Sequence, residues 1–272
     1  MNISKLKQNP QTFARLFGIA PDKFDELLIK AKPIWIKNEA RRLRRRRKIR
    51  KGSGRLYALT FDEMIAMLLL YARSYVTHEF LAALFNVDDS RVCRYFARTR
   101  PAVESVFDLP TGKIDLSQEE IEQLIVDATE QKTERRRKGS GYSGKKKAQT
   151  VKTQLVVNKK GDIRHVSEPV PGSVHDKKLY DKSKVKLPDN AKGDLAYLGT
   201  NIRIPIKSSK LHPLNQKQID RNKRFSRKRI VIEHVLAQLK SFRILADRFR
   251  GSLEHYHQYF LIVCGLRNLA RA

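Results

Sequence analysis

The sequence predicts an all-helical N-terminal region followed by an α/β domain. Three observations predict it. Apolar residues recur at helical spacing through residue 108 or so. From about residue 121 the spacing changes to the two-residue alternation of strands, broken by short turn-forming stretches. Between the strands and the end of the chain, residues 222–242 (NKRFSRKRIVIEHVLAQLKSF) form a helix with two different faces. Val231, Ile232, Val235, Leu236, Leu239 and Phe242 make a core-facing stripe. Arg229, Glu233 and Lys240 stand four and seven residues apart and fall within about 40° of one another on another side. Alone, such a ridge is also what a solvated helix face looks like; the rest of the chain gives it meaning.

Taken in order, residues 1–40 read as helical. Pro21 opens a helix with Phe24, Leu27, Leu28 and Ala31 inward, and a break is expected at Pro33. Residues 41–51 hold nine cations in eleven positions, among them Arg45, Arg46 and Arg47, and are expected to stay extended until a polyanion condenses on them. Residues 57–108 read as three helices. The first opens on a Thr60–Glu63 capping box. The second is short, with Phe80, Leu81 and Leu84 apolar. The third is capped by Ser90 and carries Arg91, Arg94 and Arg98. A short helix, a tight turn and a capped basic helix is the layout of a helix-turn-helix. Residues 109–120 read as a linker with a short capped helix at 117–120. A first strand then ends at Asp127, a basic loop carries Lys145, Lys146 and Lys147, and a hairpin joins strands at 151–157 and 163–170. Pro171-Gly-Ser-Val-His175-Asp176 turns into a short helix, Ile202 to Ile206 reads as one more strand, and a final buried helix covers 256–269.

Composition narrows the partners. Lys plus Arg number 57 against 28 Asp plus Glu, a net charge of +29. That surplus repels itself unless a polyanion relieves it, and nucleic acid is the default. An anionic membrane surface is the runner-up; no apolar run approaches the ~18 residues of a membrane span, and the expected partner is DNA, with no membrane. Cys93 and Cys264 stand far apart with no Cys-x-x-Cys, which excludes a zinc ribbon or disulfide framework and predicts a cytoplasmic protein.

The candidates for chemistry are Asp127, Asp194 and Glu233, on three different elements. Acids set among this many cations suggest that a positive ion lies between them. Oxygen donors without Cys or paired His suit a hard cation, Mg2+ or Mn2+. Two such ions clamping attacking and leaving oxygens is a known route to phosphodiester cleavage. Arg229 and Lys240 are placed to hold DNA backbone beside them.

On these residues the sequence resembles the DDE transposases of bacterial insertion sequences, in the insertion-sequence-five group, with Harbinger-like nucleases as distant relatives. The resemblance covers nearly the whole chain: the segment 59–107, then Ile125-Val-Asp-Ala-Thr-Glu130, Tyr142-Ser-Gly-Lys-Lys-Lys147, Lys152-Thr-Gln154, the block 171–176, and Asn222, Ser226, Arg229, Glu233, His234 and Lys240. It implies a ribonuclease-H-like α/β catalytic domain, and domains at 1–55 (N-terminal helices and basic arm), 56–110 (helix-turn-helix) and 111–272 (catalytic). It implies that Asp127, Asp194 and Glu233 bind two ions, that Arg229 and Lys240 contact DNA, and that the protein cleaves and joins strands at terminal inverted repeats as a dimer or larger. His175 and Asp176 are expected either beside the acids or stabilising a turn. Three positions depart from the pattern: Gln149, Ser226, and Asp194-Leu-Ala-Tyr-Leu-Gly199 around the second aspartate, for which Asp189 and Asp176 are substitutes. A relative that binds the repeats without cutting them is the alternative.

Overall fold

The computed structural model describes residues 1–46 (side chains as far as 43), 57–116, 124–134, 141–209, 211 and 213–272. The side chains of Arg45 and Arg46, residue Arg47 with the rest of the basic block, the short helix expected at 117–120 and the basic run 135–138 lie outside the described residues. Contacts divide the chain into two units. A helical unit comprises Met1–Asp108, Ser241–Asp247 and Glu254–Ala272; a sheet unit comprises Leu109–Lys240 and Arg248–Leu253.

The helical unit contains α1 (Ile3–Lys7), α2 (Pro10–Phe17), α3 (Pro21–Arg46), α4 (Phe61–Ser74), α5 (His78–Phe85) and α6 (Asp89–Phe107). Phe13, Phe17 and Phe24 stack at the α2–α3 corner, with centroids 4.5–6.1 Å apart. That corner turns at Gly18, whose left-handed backbone (φ +81°) lies against the Phe242 ring, so a side chain there would meet both strain and a clash. The expected capping box closes α4: Glu63 N donates to the Thr60 hydroxyl at 3.3 Å and Thr60 N to the Glu63 carboxylate at 2.8 Å. Nine of the 14 residues of α4 are buried, so this helix is covered nearly all round.

Three expectations are corrected here, and the outward face of α5 is added. Helix α3 runs through Pro33 without ending. Pro33 is exposed, and so is Ile29, whose carbonyl loses its helical partner to the proline; water can take that bond on the outer face. The start of the basic block, 41–46, is helical rather than extended, because adding residues to an existing helix avoids the cost of nucleation. Asp88, not Ser90, caps α6 and accepts from Ser90 N at 3.0 Å. Phe80 and Leu84 are exposed while Leu81, Ala82 and Phe85 point inward.

The helical unit is completed from the far end of the chain by α9 (Arg243–Ala246) and α10 (Leu253–Leu269). Ten residues of α10 are buried, Tyr259 lies 5.7 Å from Tyr71, and Gly265 meets the Phe107 ring. The partition therefore differs from the expected 1–55, 56–110 and 111–272: a helix apolar on most sides needs cover, and α4 and α6 provide it.

The sheet unit is built on β3 (Ala148–Val157). It pairs antiparallel with β1 (Ile125–Lys132) on one edge and with β2 (Tyr142–Ser143), β5 (Val170–Pro171) and β4 (Ile163–Val166) along the other. The return strand expected at 163–170 is thus split in two, because Ser167 bonds back to Gln154 through backbone and hydroxyl and interrupts the ladder. Helix α7 (Asp176–Ser183), a single 3-10 turn (Leu195–Tyr197) and α8 (Gln216–Lys240) complete the unit. Leu116, Leu124, Val126, Val156, Tyr180, Leu187 and Tyr197 form its core. The strand expected at 202–206 is reduced to one bridge at Arg203.

Candidate functional site

Asp127 sits in the first half of β1, not at its end, opposite Leu155 of β3. Alternation puts it on the face of β1 that α8 covers. The second aspartate reaches it through backbone register. Lys192 forms a parallel bridge with Ile125: Val126 N donates to Lys192 O at 2.9 Å and Lys192 N to Leu124 O at 2.8 Å. Asp127 and Asp194 each lie two residues beyond that bridge, so neighbouring chains running the same way carry both acids at matched positions. Asp189, the substitute, is exposed on the preceding turn, its carbonyl accepting from Arg203 Nε at 3.0 Å.

The charges of the pocket act on one another. The Asp127 carboxyl, usually near 3.8, is pushed up to about 6. Burial is the main cause; the Ala128 backbone N–H and Arg229 pull it down, and the negative charges of Asp194 and Asp176 push it up. Beneath the acids, Tyr197 is fully buried and its hydroxyl donates to Gln154 at 3.4 Å. Its pKa is driven well above the usual phenol value by burial first, then by Asp127, Asp176 and Asp194. Asp176 accepts from Lys152 of β3 at 2.7 Å, with both side chains mostly buried. Neither Lys152 nor Tyr197 was given a role from the sequence. The signal for Lys152 was available: a lysine amid the apolar alternation of β3 needs an acid to face. His175 caps α7, its ring accepting from Lys177 N at 3.3 Å, which is the turn-stabilising role.

Helix α8 supplies the remaining groups. Ile232, Val235 and Leu239 are buried, so the helix is fastened by its C-terminal half. Its N-terminal half is held by Asn222, whose amide accepts from Ile206 N and donates to Ile206 O, both at 2.9 Å. Between these fastenings Arg229 reaches Asp127 at 3.7 Å, with its own Nε buried and lacking a hydrogen bond. Glu233 lies one turn further on and Lys240 nearly two turns beyond that; both are exposed. Lys217, Arg221, Lys223, Arg224, Arg227 and Lys228 leave the first half of α8 strongly cationic and exposed. Lys145, Lys146 and Lys147 are exposed on the turn between β2 and β3.

The structure thus sets Asp194 at the register position matching Asp127, holds Arg229 against Asp127, and leaves Glu233 exposed one helical turn beyond Arg229. Among the described residues, no three His, Cys, Asp or Glu side chains form a group that could hold a metal ion. The donors fit a hard divalent cation in kind, as carboxylate oxygens without sulfur. Asp127 and Asp194 stand at matched backbone positions, and among the described residues no third acid completes a group with them.

In the helical unit, Arg91, Arg94 and Arg98 share one face of α6. Arg94 bonds to Ser90 O at 3.1 Å and to its hydroxyl at 2.6 Å. Arg98 lies over the Tyr57 ring at 5.0 Å. Arg100 turns inward onto Tyr259 and Gln258.

A family model described as DDE superfamily endonuclease matches residues 126–268. The chain belongs to that superfamily. A second model, the helix-turn-helix of DDE superfamily endonuclease, matches 57–107, which spans α4 to α6. The endonuclease match begins one residue before Asp127 and takes in Asp194 and Glu233. Among curated proteins, the probable transposase for insertion sequence element IS702 of Microchaete diplosiphon is 30% identical over 283 residues, covering 98% of this DDE superfamily chain and 98% of its own. No solved structure matches the chain. No helix among the described residues is long and apolar enough to cross a membrane.

Proposed function

We propose that this DDE superfamily chain is a transposase of the insertion-sequence-five group, distantly Harbinger-like, with a ribonuclease-H-like catalytic domain. It binds the terminal inverted repeats of an insertion sequence, cuts there and joins the freed end to target DNA. The observation that carries the reading is the matched placement of Asp127 and Asp194 beside the helix that bears Arg229 and Glu233. The IS702 relative, matched almost end to end, supports it.

In this reading Asp127 and Asp194 hold two Mg2+ or Mn2+ ions, and Glu233 closes the ligand set when DNA is bound. When bound, the ions stabilise the attacking and leaving oxygens of an in-line displacement. Water attacks the scissile phosphorus, the bond to the 3′-oxygen breaks, and the strand leaves as a 3′-hydroxyl. That hydroxyl then attacks a target phosphate and displaces another 3′-oxygen. Arg229 moves from Asp127 to the phosphate, and Lys240 and the basic half of α8 grip the flanking backbone. Arg91 and Arg94 face the groove of the repeat, and the basic arm 41–51 and Lys145 to Lys147 supply further phosphate contacts. Holding two ends at once calls for a homodimer or larger assembly, working in the cytoplasm on the nucleoid.

The experiment is nicking of a duplex carrying the element's own ends, with Mg2+ and with EDTA. Asp127→Asn, Asp194→Asn and Glu233→Gln should each lose on the order of 100-fold or more in rate, while Asp189→Asn should cut like wild type. Equal rates for wild type and Glu233→Gln would remove that helix from catalysis. A second reading, a repeat-binding relative that does not cut, is favoured by one observation: among the described residues no three acid side chains group as a metal site. In that case none of the substitutions changes a rate, because the wild type has none.

A further inference from the structure

The acid Glu39 lies about two turns before the end of a helix that runs into the most cationic stretch of the chain. It is mostly buried, and it is occupied. Arg42, three residues on, donates to it through Nε at 3.1 and 3.2 Å and through a terminal nitrogen at 2.8 Å. The hydroxyl of Tyr57 donates to the same carboxylate. The Tyr57 ring is held from three directions: Trp35 of α3 at 5.6 Å, Tyr95 of α6 at 6.1 Å, and the Arg98 guanidinium of α6 at 5.0 Å. One tyrosine therefore ties α3 to α6, by its hydroxyl to the first helix and by its ring to the second.

Two features of this tie point to nucleic acid. The group Glu39, Arg42 and Arg98 keeps a net positive charge, so the acid orients the arginines without cancelling them. The arginine face of α6 ends at Arg98, and the basic end of α3 begins just beyond Glu39. From Glu39 to Arg46 is about 10 Å of helix. That is comparable to the major-groove width of about 12 Å, so an arm of this length can reach a backbone flanking a groove that α6 enters. A helical arm already fixed by folding pays its ordering cost before the duplex arrives.

We propose that Glu39 and Tyr57 are positioning residues that latch the basic end of α3 to α6, making the two helices one surface for double-stranded DNA. In this assignment Arg98 belongs to the latch, and Arg91 and Arg94 are left to meet the groove. The proposal rests on the DNA-binding half of the function proposed above and is independent of cutting.

The test uses the full chain, EDTA, and a fluorescein-labelled random-sequence duplex, with anisotropy measured across a salt series. Tyr57→Phe keeps the ring stack and deletes only the hydroxyl; Glu39→Gln keeps the shape and deletes the charge. Each should weaken binding by roughly threefold to tenfold and flatten the slope of log affinity against log salt by about 1 to 2, as one or two phosphate contacts are lost. The double variant should be no worse than the poorer single one, since both break the same bond. Circular dichroism checks folding, and if Tyr57→Phe fails to fold, Glu39→Gln decides. An unchanged slope overturns the latch. So does tighter binding by Glu39→Gln, the result for an acid that merely repels phosphate. A wild-type chain that ignores the duplex overturns the DNA reading beneath it, whereas a chain that binds but never cuts touches only the catalytic reading.

Discussion

Replacing Asp127 with Asn gives a measurable account of what the acid pocket costs the fold. The carboxyl is raised from 3.8 to about 6, chiefly by burial, with Asp194 and Asp176 adding to the rise against the pull of the Ala128 N–H and Arg229. Below pH ~4 it is protonated both folded and unfolded and costs nothing. As pH climbs from ~4 to ~6 the unfolded chain gives up its proton first, so stability falls; above that the loss is constant at about 3 kcal/mol. The side chain keeps 20% of its exposure, so solvent screening makes that figure an upper limit. Asn mimics the protonated acid, and Arg229 faces a neutral partner in either case, so the arginine's loss cancels from the pH-dependent part. The stability difference between Asp127→Asn and wild type should therefore grow by up to about 3 kcal/mol between pH 4 and 7. Trp35, the single tryptophan, reports on the helical unit. The assay is therefore denaturant-dependent hydrogen exchange of β1 and β3 peptides in EDTA. A difference that stays flat from pH 4 to 8 would refute the argument, because no desolvated charge would then be stored at Asp127.

Other perturbations follow from contacts already described. A Cβ on Gly265 would stand 2.0 Å from Phe107 Cγ and 2.6 Å from its Cβ, too near for a rotation of the ring to relieve. Gly265→Ala should gain about 1 kcal/mol in helix propensity and lose about 2–3 to overpacking, a net loss near 1–2 kcal/mol. Trp35 fluorescence in urea reads it, and a variant as stable as wild type contradicts the packing. Asn222→Leu strips Ile206 of both amide bonds at about 1–3 kcal/mol; unchanged proteolysis around 202–206 would mean the clasp holds nothing. Changing Arg44 to Arg47 together to Ala should make the salt slope of duplex binding shallower by about 3 to 4, and an unaltered slope would return that segment to a solubilising role.

Much of the architecture was legible because it is written in spacing. The period change near residue 121, the Thr60 capping box and the stripe Ile232, Val235 and Leu239 each depend on neighbours a few positions away, which a single chain displays. What was hidden depends on partners far along the chain. The bridge that sets Asp194 beside Asp127 is a single residue pair through Lys192, too short to leave any alternation. The end of β1 was misplaced because Ala128 to Lys132 look too polar for a strand, although β3 pairs with all of them. For the site, the choice of Asp127, Arg229 and Glu233 came from motif order. That order could not reveal that Arg229 sits on Asp127 while Glu233 remains on the rim.

The helical unit is sewn from stretches far apart in the chain. Its first 108 residues leave the ribosome early, but the cover for Tyr71 and Phe107 lies on α10, more than 140 positions later. Until α10 has been made the nascent helix-turn-helix has an open apolar flank, and a frameshift or stop codon ahead of α10 leaves that flank open for good. Shortened products of such a gene would then be aggregation-prone fragments, poor competitors for the sites of the full-length protein.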